Sequence, residues 1–186
     1  MSRTNVNEDG PRTAWRNPVL RFEKRCAASP EVVYDLLADL RSHLAWAGER
    51  QSETTRLLTL GAQPGPAGIG TEFRTTGSDG KVARWSDRSV VTEATRPRVF
   101  EFVTEGRRDG KPGSPPWLLT AVHRYEIAPV ADGCRVTYRE DLIRLDGAPR
   151  VMRTPGVSRL VFRMSAKYMA RGFDGLLSMA EERAGA

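Results

Sequence analysis

Apolar and polar residues alternate from the first clear segment of the chain. Val19–Cys26 (VLRFEKRC) places Leu20, Phe22 and Cys26 on one face, which predicts a half-buried strand. The spacing then changes. Val33, Leu36, Leu37 and Leu40 fall at helical intervals and predict a helical stretch over Pro30–Trp46. Ser29 suits its N-cap, Pro30 the first turn, and Glu31 the positive end of the peptide dipoles. Ser42 is placed to cap a second short helix through Trp46.

Strand-like segments follow at Ser52–Leu60, Ile69–Thr76, Val82–Ala94, Arg98–Glu105, Trp117–Ile127 and Cys134–Leu145. The connections carry turn chemistry: Gly61–Gly68 (GAQPGPAG), the tight Arg96-Pro97 step, and Asp132-Gly133 in the last hairpin. Two longer Gly/Pro-containing loops are expected at Gly106–Pro116 and Gly147–Gly156, the first of them read as neither helix nor strand. The chain closes on an amphipathic helix, Val157–Arg183. Its polar stripe is Arg159, Arg163, Lys167, Arg171 and Asp174; the opposite stripe is Val161, Met164, Tyr168, Gly172, Leu176 and Met179.

This order predicts an α+β domain over residues 18–186, preceded by a polar tail at 1–17 read as disordered. A seven-stranded antiparallel sheet with one buried face, and a single long helix left to cover it, tends to enclose a cavity. Period-two alternation assigns the inner face: Ile69, Thr71, Phe73 and Thr75; Trp85, Asp87, Ser89 and Val91; Phe100, Phe102 and Thr104; Trp117, Leu119, Ala121, His123, Tyr125 and Ile127; Cys134, Val136, Tyr138, Glu140 and Leu142. Arg84, Arg88, Arg124, Glu126, Arg135, Arg139 and Asp141 go outside. The lining is thus aromatic with scattered polar groups, to which the helix adds Tyr168. In the last hairpin His123 is expected opposite Tyr138 or Glu140. A carboxylate does not face a dry core cheaply, so Glu140 either pairs, for instance with His123, or meets water in a cavity. A bulge turning Glu140 outward is the third arrangement.

Meander topology puts loops 77–80, 106–116 and 146–156 at one end of the sheet. This mouth would carry Lys81, Arg107, Arg108, Lys111, Arg150 and Arg153, a rim able to steer a carboxylate or phosphate. The net charge of +6 raises nucleic acid as a partner. Arginines interleaved with acids along nearly every segment read instead as a solvated surface. The two cysteines, Cys26 and Cys134, lack metal-ligand spacing and are read as a reduced, buried pair rather than a zinc site. No apolar run approaches the ~20 residues of a membrane-spanning helix, and the polar start lacks a signal-peptide core, so a cytoplasmic location is expected.

Several segments together resemble the SRPBCC superfamily of START/Bet v 1-like proteins, in its polyketide cyclase/dehydrase branch. They are Phe22 with Ala28-Ser29-Pro30-Glu31-Val32-Val33-Tyr34-Asp35-Leu36-Leu37-Ala38-Asp39 and Trp46, and Gly68-Ile69-Gly70-Thr71-Glu72-Phe73. Trp85, Val90 and Glu93-Ala94-Thr95-Arg96-Pro97-Arg98-Val99-Phe100-Glu101-Phe102 continue the likeness, and Tyr125-Glu126-Ile127 and Gly133-Cys134-Arg135-Val136-Thr137-Tyr138 complete it. The resemblance covers about residues 19–183. It implies a helix-grip fold, the sheet wrapped around the C-terminal helix with a hydrophobic ligand between them. It also implies no metal and no obligatory cofactor.

Three functions fit this pattern. The first is a carrier of a hydrophobic or amphipathic small molecule, lipid- or polyketide-like, contacted by Phe73, Trp85, Asp87, Phe100, Phe102, Trp117, Tyr125, Met164 and Tyr168. The second is a polyketide cyclase or dehydratase with His123 and Glu140 as acid/base pair and Tyr138 or Tyr168 holding an enolate oxygen. The third is a basic interaction module of the same fold. A cavity below about 300 Å³ would argue against a drug-sized ligand. The pattern leaves the oligomeric state open.

Overall fold

The computed structural model describes residues 19–49, 55–79, 83–109, 113, 115–148 and 154–185, with side chains for all of these except 19, 55, 79, 83, 155–156 and 158–165. The expected tail at 1–17 lies outside the described residues, as do Lys81, Lys111, Arg150 and Arg153 of the expected rim and the side chains of Arg159, Val161, Arg163 and Met164.

The elements in chain order are β1 (Val19–Cys26), α1 (Pro30–Ala38), a 3-10 turn (Leu40–Ser42) and a π-helical turn (Ala45–Glu49). Then come β2 (Thr55–Ala62), β3 (Glu72–Asp79), β4 (Ala83–Thr95), β5 (Val99–Arg108), β6 (Trp117–Val130), β7 (Gly133–Asp146) and α2 (Pro155–Gly185). All strand pairs are antiparallel, in a single seven-stranded sheet ordered β1-β7-β6-β5-β4-β3-β2. The helix-grip architecture expected from the element order is the one observed.

Ser29 caps α1 as expected, its Oγ accepting from the Val32 N–H at 3.4 Å. The helical stretch expected over Pro30–Trp46 is divided, as expected, into more than one piece: α1 ends at Ala38, and the short turns Leu40–Ser42 and Ala45–Glu49 follow it. Ser42 does not cap the start of a second helix; it is buried, and its Oγ donates to the Leu36 carbonyl in the last turn of α1 at 2.7 Å. That bond and the two short turns fold the chain back under the sheet.

Three single-residue bulges curve the sheet, at Leu58 in β2, Thr92 in β4 and Ile143 in β7. Leu58 and Ile143 are thereby left half exposed, at 45% and 50%. The β7 bulge lies beyond Glu140, so it does not turn that side chain outward.

Two strand limits differ from expectation. β3 begins at Glu72, because Gly70 takes a positive φ of 84° and Thr71 closes a turn on Gly68 through bonds of 3.0 Å in both directions. Ile69 is consequently 73% exposed and not on the inner face. β5 continues through Gly106–Arg108, which the loop-like composition had assigned to a connection. Gly106 sits opposite Asp87, and a Cβ there would lie 2.4 Å from Asp87 Oδ1. The missing side chain makes room for the carboxylate without interrupting the ladder.

The polar stripe of α2 is as expected where described: Lys167, Arg171 and Asp174 are exposed, and Asp174 pairs with Lys24 of β1. The apolar stripe is rotated. Gly172, Phe173, Leu176, Leu177 and Ala180 are buried, while Tyr168 and Met179 are only partly so. Cys26 and Cys134 are free, buried and cross-strand neighbours. Burial pushes the Cys134 thiol up to about 12.

Candidate functional site

Because β3 to β7 pair in succession, the inner face can be followed as successive cross-sheet rows, with the register stepped by one at the Thr92 and Ile143 bulges. The row nearest the loops after β3, β5 and β7 is Gly77, Trp85, Arg108 and Trp117. Next come Thr75, Asp87, Gly106 and Leu119, and then Phe73, Ser89, Thr104, Ala121 and Leu142. Below them lie Val91, Phe102, His123 and Glu140, and finally Phe100, Tyr125, Tyr138 and Phe22.

The last row is packed solid. Phe100 is 0% and Tyr138 1% exposed. Tyr138 stacks on Phe22 and lies 4.8 Å from the Tyr125 ring centre, with Phe173 of α2 closing over it. The middle rows are small at their centre: Gly106 in one, and Ser89, Thr104 and Ala121 between Phe73 and Leu142 in the other. Opposite them α2 presents another small residue, Gly172, between Met169 and Phe173. The space left is a cavity of about 190 Å³.

One end of that cavity carries a hydrogen-bonded chain. His123 is cross-strand partner to Glu140, and its Nδ1 lies 2.8 Å from the Tyr138 hydroxyl, which donates to Glu140 Oε2 at 3.1 Å. Tyr138 has a single O–H and gives it to the carboxylate. The His123–Tyr138 bond is therefore donated by His123 Nδ1–H, and Nε2 holds the ring's lone pair. The imidazole lies flat against Phe102, ring centres 4.7 Å apart. Burial lowers the His123 pKa, Glu140 opposes the shift and Arg108 adds to it, so the ring is neutral at pH 7. Burial, reinforced by Glu140, holds Tyr138 well above the ordinary phenol value, as a donor.

At the mouth end Arg108 crosses the Trp85 indole 5.4 Å from its centre. Trp85 itself lies over Gly77, where a Cβ would meet Cζ2 at 2.0 Å. A third group, absent from the sequence expectation, comes from the turns after α1. His43 is buried, and its Nε2 lies 2.9 Å from the Leu37 carbonyl. A carbonyl only accepts, so Nε2 carries the proton and Nδ1 is the acceptor. Burial lowers its pKa to about 4. The Trp46 ring lies 4.6 Å away, and both residues line the cavity.

His123, Tyr138 and Glu140 therefore meet, and Phe73, Trp85, Asp87, Phe102 and Tyr125 share their cavity. Phe100 does not; it packs edge-on against Tyr34. Neither Trp117 nor Tyr168 reaches the lining, the latter lying beneath Arg171 on the helix flank. Met164 falls among the side chains outside the described set. Met169 and Phe173 line the cavity but were not among the expected contacts, and Arg108, expected at the mouth rim, lines the cavity itself. That place could have been found by continuing the alternation Phe100, Phe102, Thr104 two steps further.

The outer face of the sheet differs in kind. Arg124 binds Glu93, Glu101 and Glu126 at 2.6–2.9 Å; Arg88 pairs with Glu72 and Glu105; Arg139 with Asp141; Arg144 with Asp146. Among the described residues no group of three or more His, Cys, Asp or Glu could hold a metal, and no helix is long and apolar enough to cross a membrane.

A family model described as polyketide cyclase / dehydrase and lipid transport matches residues 19–179. Solved structures share the fold at low identity. A Rhizobium leguminosarum protein aligns with TM-score 0.65 at 12% identity, covering 89% of this chain and 95% of its own. A Nitrosomonas europaea protein aligns with TM-score 0.58 at 17%, covering 94% and 99%. A Chromobacterium violaceum protein gives TM-score 0.58 at 14%, covering 88% and 97%. A search of curated proteins finds no match.

Proposed function

The chain belongs to the polyketide cyclase / dehydrase and lipid transport family, and from that premise we propose that it binds a small amphipathic molecule between the sheet and α2. The observation carrying this reading is the hollow left by small middle rows between a packed aromatic row and the helix. Its wall offers Phe73, Phe102, Tyr125 and Phe173 to an apolar body and His123 and Glu140 to a polar group. The volume of about 190 Å³ falls short of the roughly 300 Å³ of drug-sized sites. It exceeds the ~150 Å³ that suffices for benzene. A single ring bearing one or two oxygens fits this space better than a full lipid chain or an extended polyketide. Native mass spectrometry of protein purified from its own host tests the reading: a co-purified adduct of that size supports it, and clean apoprotein that also ignores ring-sized probes removes it.

The His123–Tyr138–Glu140 chain favours a second reading, proton transfer on the bound molecule. Neutral His123 Nε2 is a base for a C–H flanked by carbonyls, and the Tyr138–Glu140 bond fixes the tautomer that leaves Nε2 free of a proton. Tyr125, kept protonated by burial, supplies an O–H on the same wall for the enolate oxygen. On this reading His123→Ala and Glu140→Gln abolish turnover of a β-dicarbonyl while leaving its binding intact. Turnover surviving both changes would take the chemistry away from these residues.

A further inference from the structure

The chain has two histidines, and both line the cavity. They stand at the two ends of a run of rings along one wall. His43 meets Phe73 edge-on at 6.2 Å, Phe73 meets Phe102 at 5.3 Å, and Phe102 lies flat on His123 at 4.7 Å. Their hydrogen bonds select opposite tautomers. His43 gives its Nε2–H to the Leu37 carbonyl, and His123 gives its Nδ1–H to the Tyr138 hydroxyl. Each ring keeps one lone-pair nitrogen, Nδ1 on His43 and Nε2 on His123. His43 is 5% exposed, and its Nδ1 has no bond among the described residues. Unlike Nε1 of the neighbouring Trp46, that nitrogen is not sealed from water, and the space beside it is the cavity. A lone pair left in an apolar wall without a donor costs free energy.

We propose that His43 is a specificity residue, whose Nδ1 accepts a hydrogen bond from a hydroxyl on the molecule held in the cavity, so that a phenol-like ring is chosen over its hydrocarbon counterpart. This rests on the reading of the cavity as a binding site. The His43 ring accepts rather than donates there because burial keeps it uncharged at pH 7. The partner is a hydroxyl rather than an ammonium, because a cation would need a carboxylate beside it and the rings flanking His43 are Trp46 and Phe73. At the other end His123 Nε2 and Glu140 are acceptors as well, so the wall as a whole suits a molecule that brings O–H groups. A water resident on Nδ1 is the competing explanation, and it would give a phenol no advantage.

p-Cresol and toluene differ by one hydroxyl and are the probes. The full chain, labelled with nitrogen-15, is titrated at neutral pH, and its imidazoles are read by long-range proton–nitrogen correlation. Opposite tautomers tell the two rings apart without any substitution. p-Cresol is expected to move the His43 Nδ1 resonance upfield, as a lone pair that accepts a bond does, and toluene is not. In calorimetry the preference for p-cresol over toluene is expected to fall about tenfold in His43→Phe, the size of one hydrogen bond, beyond whatever the new ring does to both probes alike. A shift on His123 alone or on neither ring while p-cresol binds, the same His43 shift with toluene, or a preference that survives His43→Phe overturns the assignment and leaves the cavity reading standing. So does binding of toluene without binding of p-cresol. Failure of both probes to bind the unmodified chain overturns both. If His43→Phe does not fold, the spectrum of the unmodified chain decides alone.

Discussion

The lowest row of the inner face and the hollow row are separated by a single row, that of Val91, Phe102, His123 and Glu140, yet they do opposite work. In the row of Phe22, Tyr138, Tyr125 and Phe100 every position is large, and the rings pack against one another and against Phe173. In the row of Phe73, Ser89, Thr104, Ala121 and Leu142 the three central positions are small, and α2 answers with Gly172. What separates core from cavity is side-chain volume row by row, and the hydrogen-bonded His123–Tyr138–Glu140 chain lies where the two meet.

Truncation should separate the two regions most sharply. Phe100→Ala removes a fully buried ring from the packed row, and a loss of about 3–5 kcal/mol is expected in chemical denaturation. A loss below about 1 kcal/mol would mean that this row is not the core. The same measurement on Ser89→Ala, in the hollow row, should change far less, because only the 2.9 Å Ser89–Thr104 hydroxyl bond goes with it.

Acid tests the polar wall. His43 titrates near 4 in the fold, against 6.5 as its ordinary value. The unfolded chain therefore binds the proton first, and stability falls as pH drops from 6.5 towards 4. From pH 7.5 to pH 5 the His43 share of that loss is about 2 kcal/mol, and His123, shifted in the same direction, adds to it. His43→Gln should flatten the profile by the His43 share. An unchanged profile would mean that His43 is not buried neutral.

A smaller effect sharpens the boundary between the rows. Tyr138→Phe keeps the ring stack and deletes the hydroxyl between His123 and Glu140. A stability loss of about 1–3 kcal/mol is expected, with weakened binding of any ligand that reaches His123. Smallest of all, Cys134 should stay unmodified by thiol reagents in the folded chain and react on unfolding. Ready labelling of the native protein would place the β1–β7 edge outside the packed region.

Much of this was legible in the sequence, for reasons particular to strands. The pleat fixes side-chain direction every second residue, so Phe73, Asp87, Phe102, His123, Tyr138 and Glu140 could be assigned to one wall from alternation alone. The hairpin turn narrowed the partner of His123 to Tyr138 or Glu140, and the register of β6 on β7 selects Glu140. Helical segments were less readable. Beyond Ala38 the chain leaves the 3.6-residue period for a 3-10 and then a π-helical turn, so projection from α1 could not place His43 and Trp46. On α2 the expected stripe held Gly172 and Leu176, but it was centred on Tyr168 and Met179, whereas the buried face is shifted by one residue around the helix. That turns Phe173 and Leu177 inward. Arg108 was expected at the mouth rim, but the loop-like composition of Gly106–Pro116 concealed that it stands on β5, where Gly106 serves as the seat of Asp87.

The most direct measurement is ring-sized ligand binding to Ala121→Leu. Ala121 is 1% exposed in the hollow row, and the larger side chain fills the cavity while leaving the packed row untouched. The account predicts a melting temperature unchanged or raised, together with loss of binding in the same calorimetric titration that registers it for the unmodified chain. Binding of undiminished strength to a stably folded Ala121→Leu would contradict it, because the ligand would then occupy some other part of the molecule.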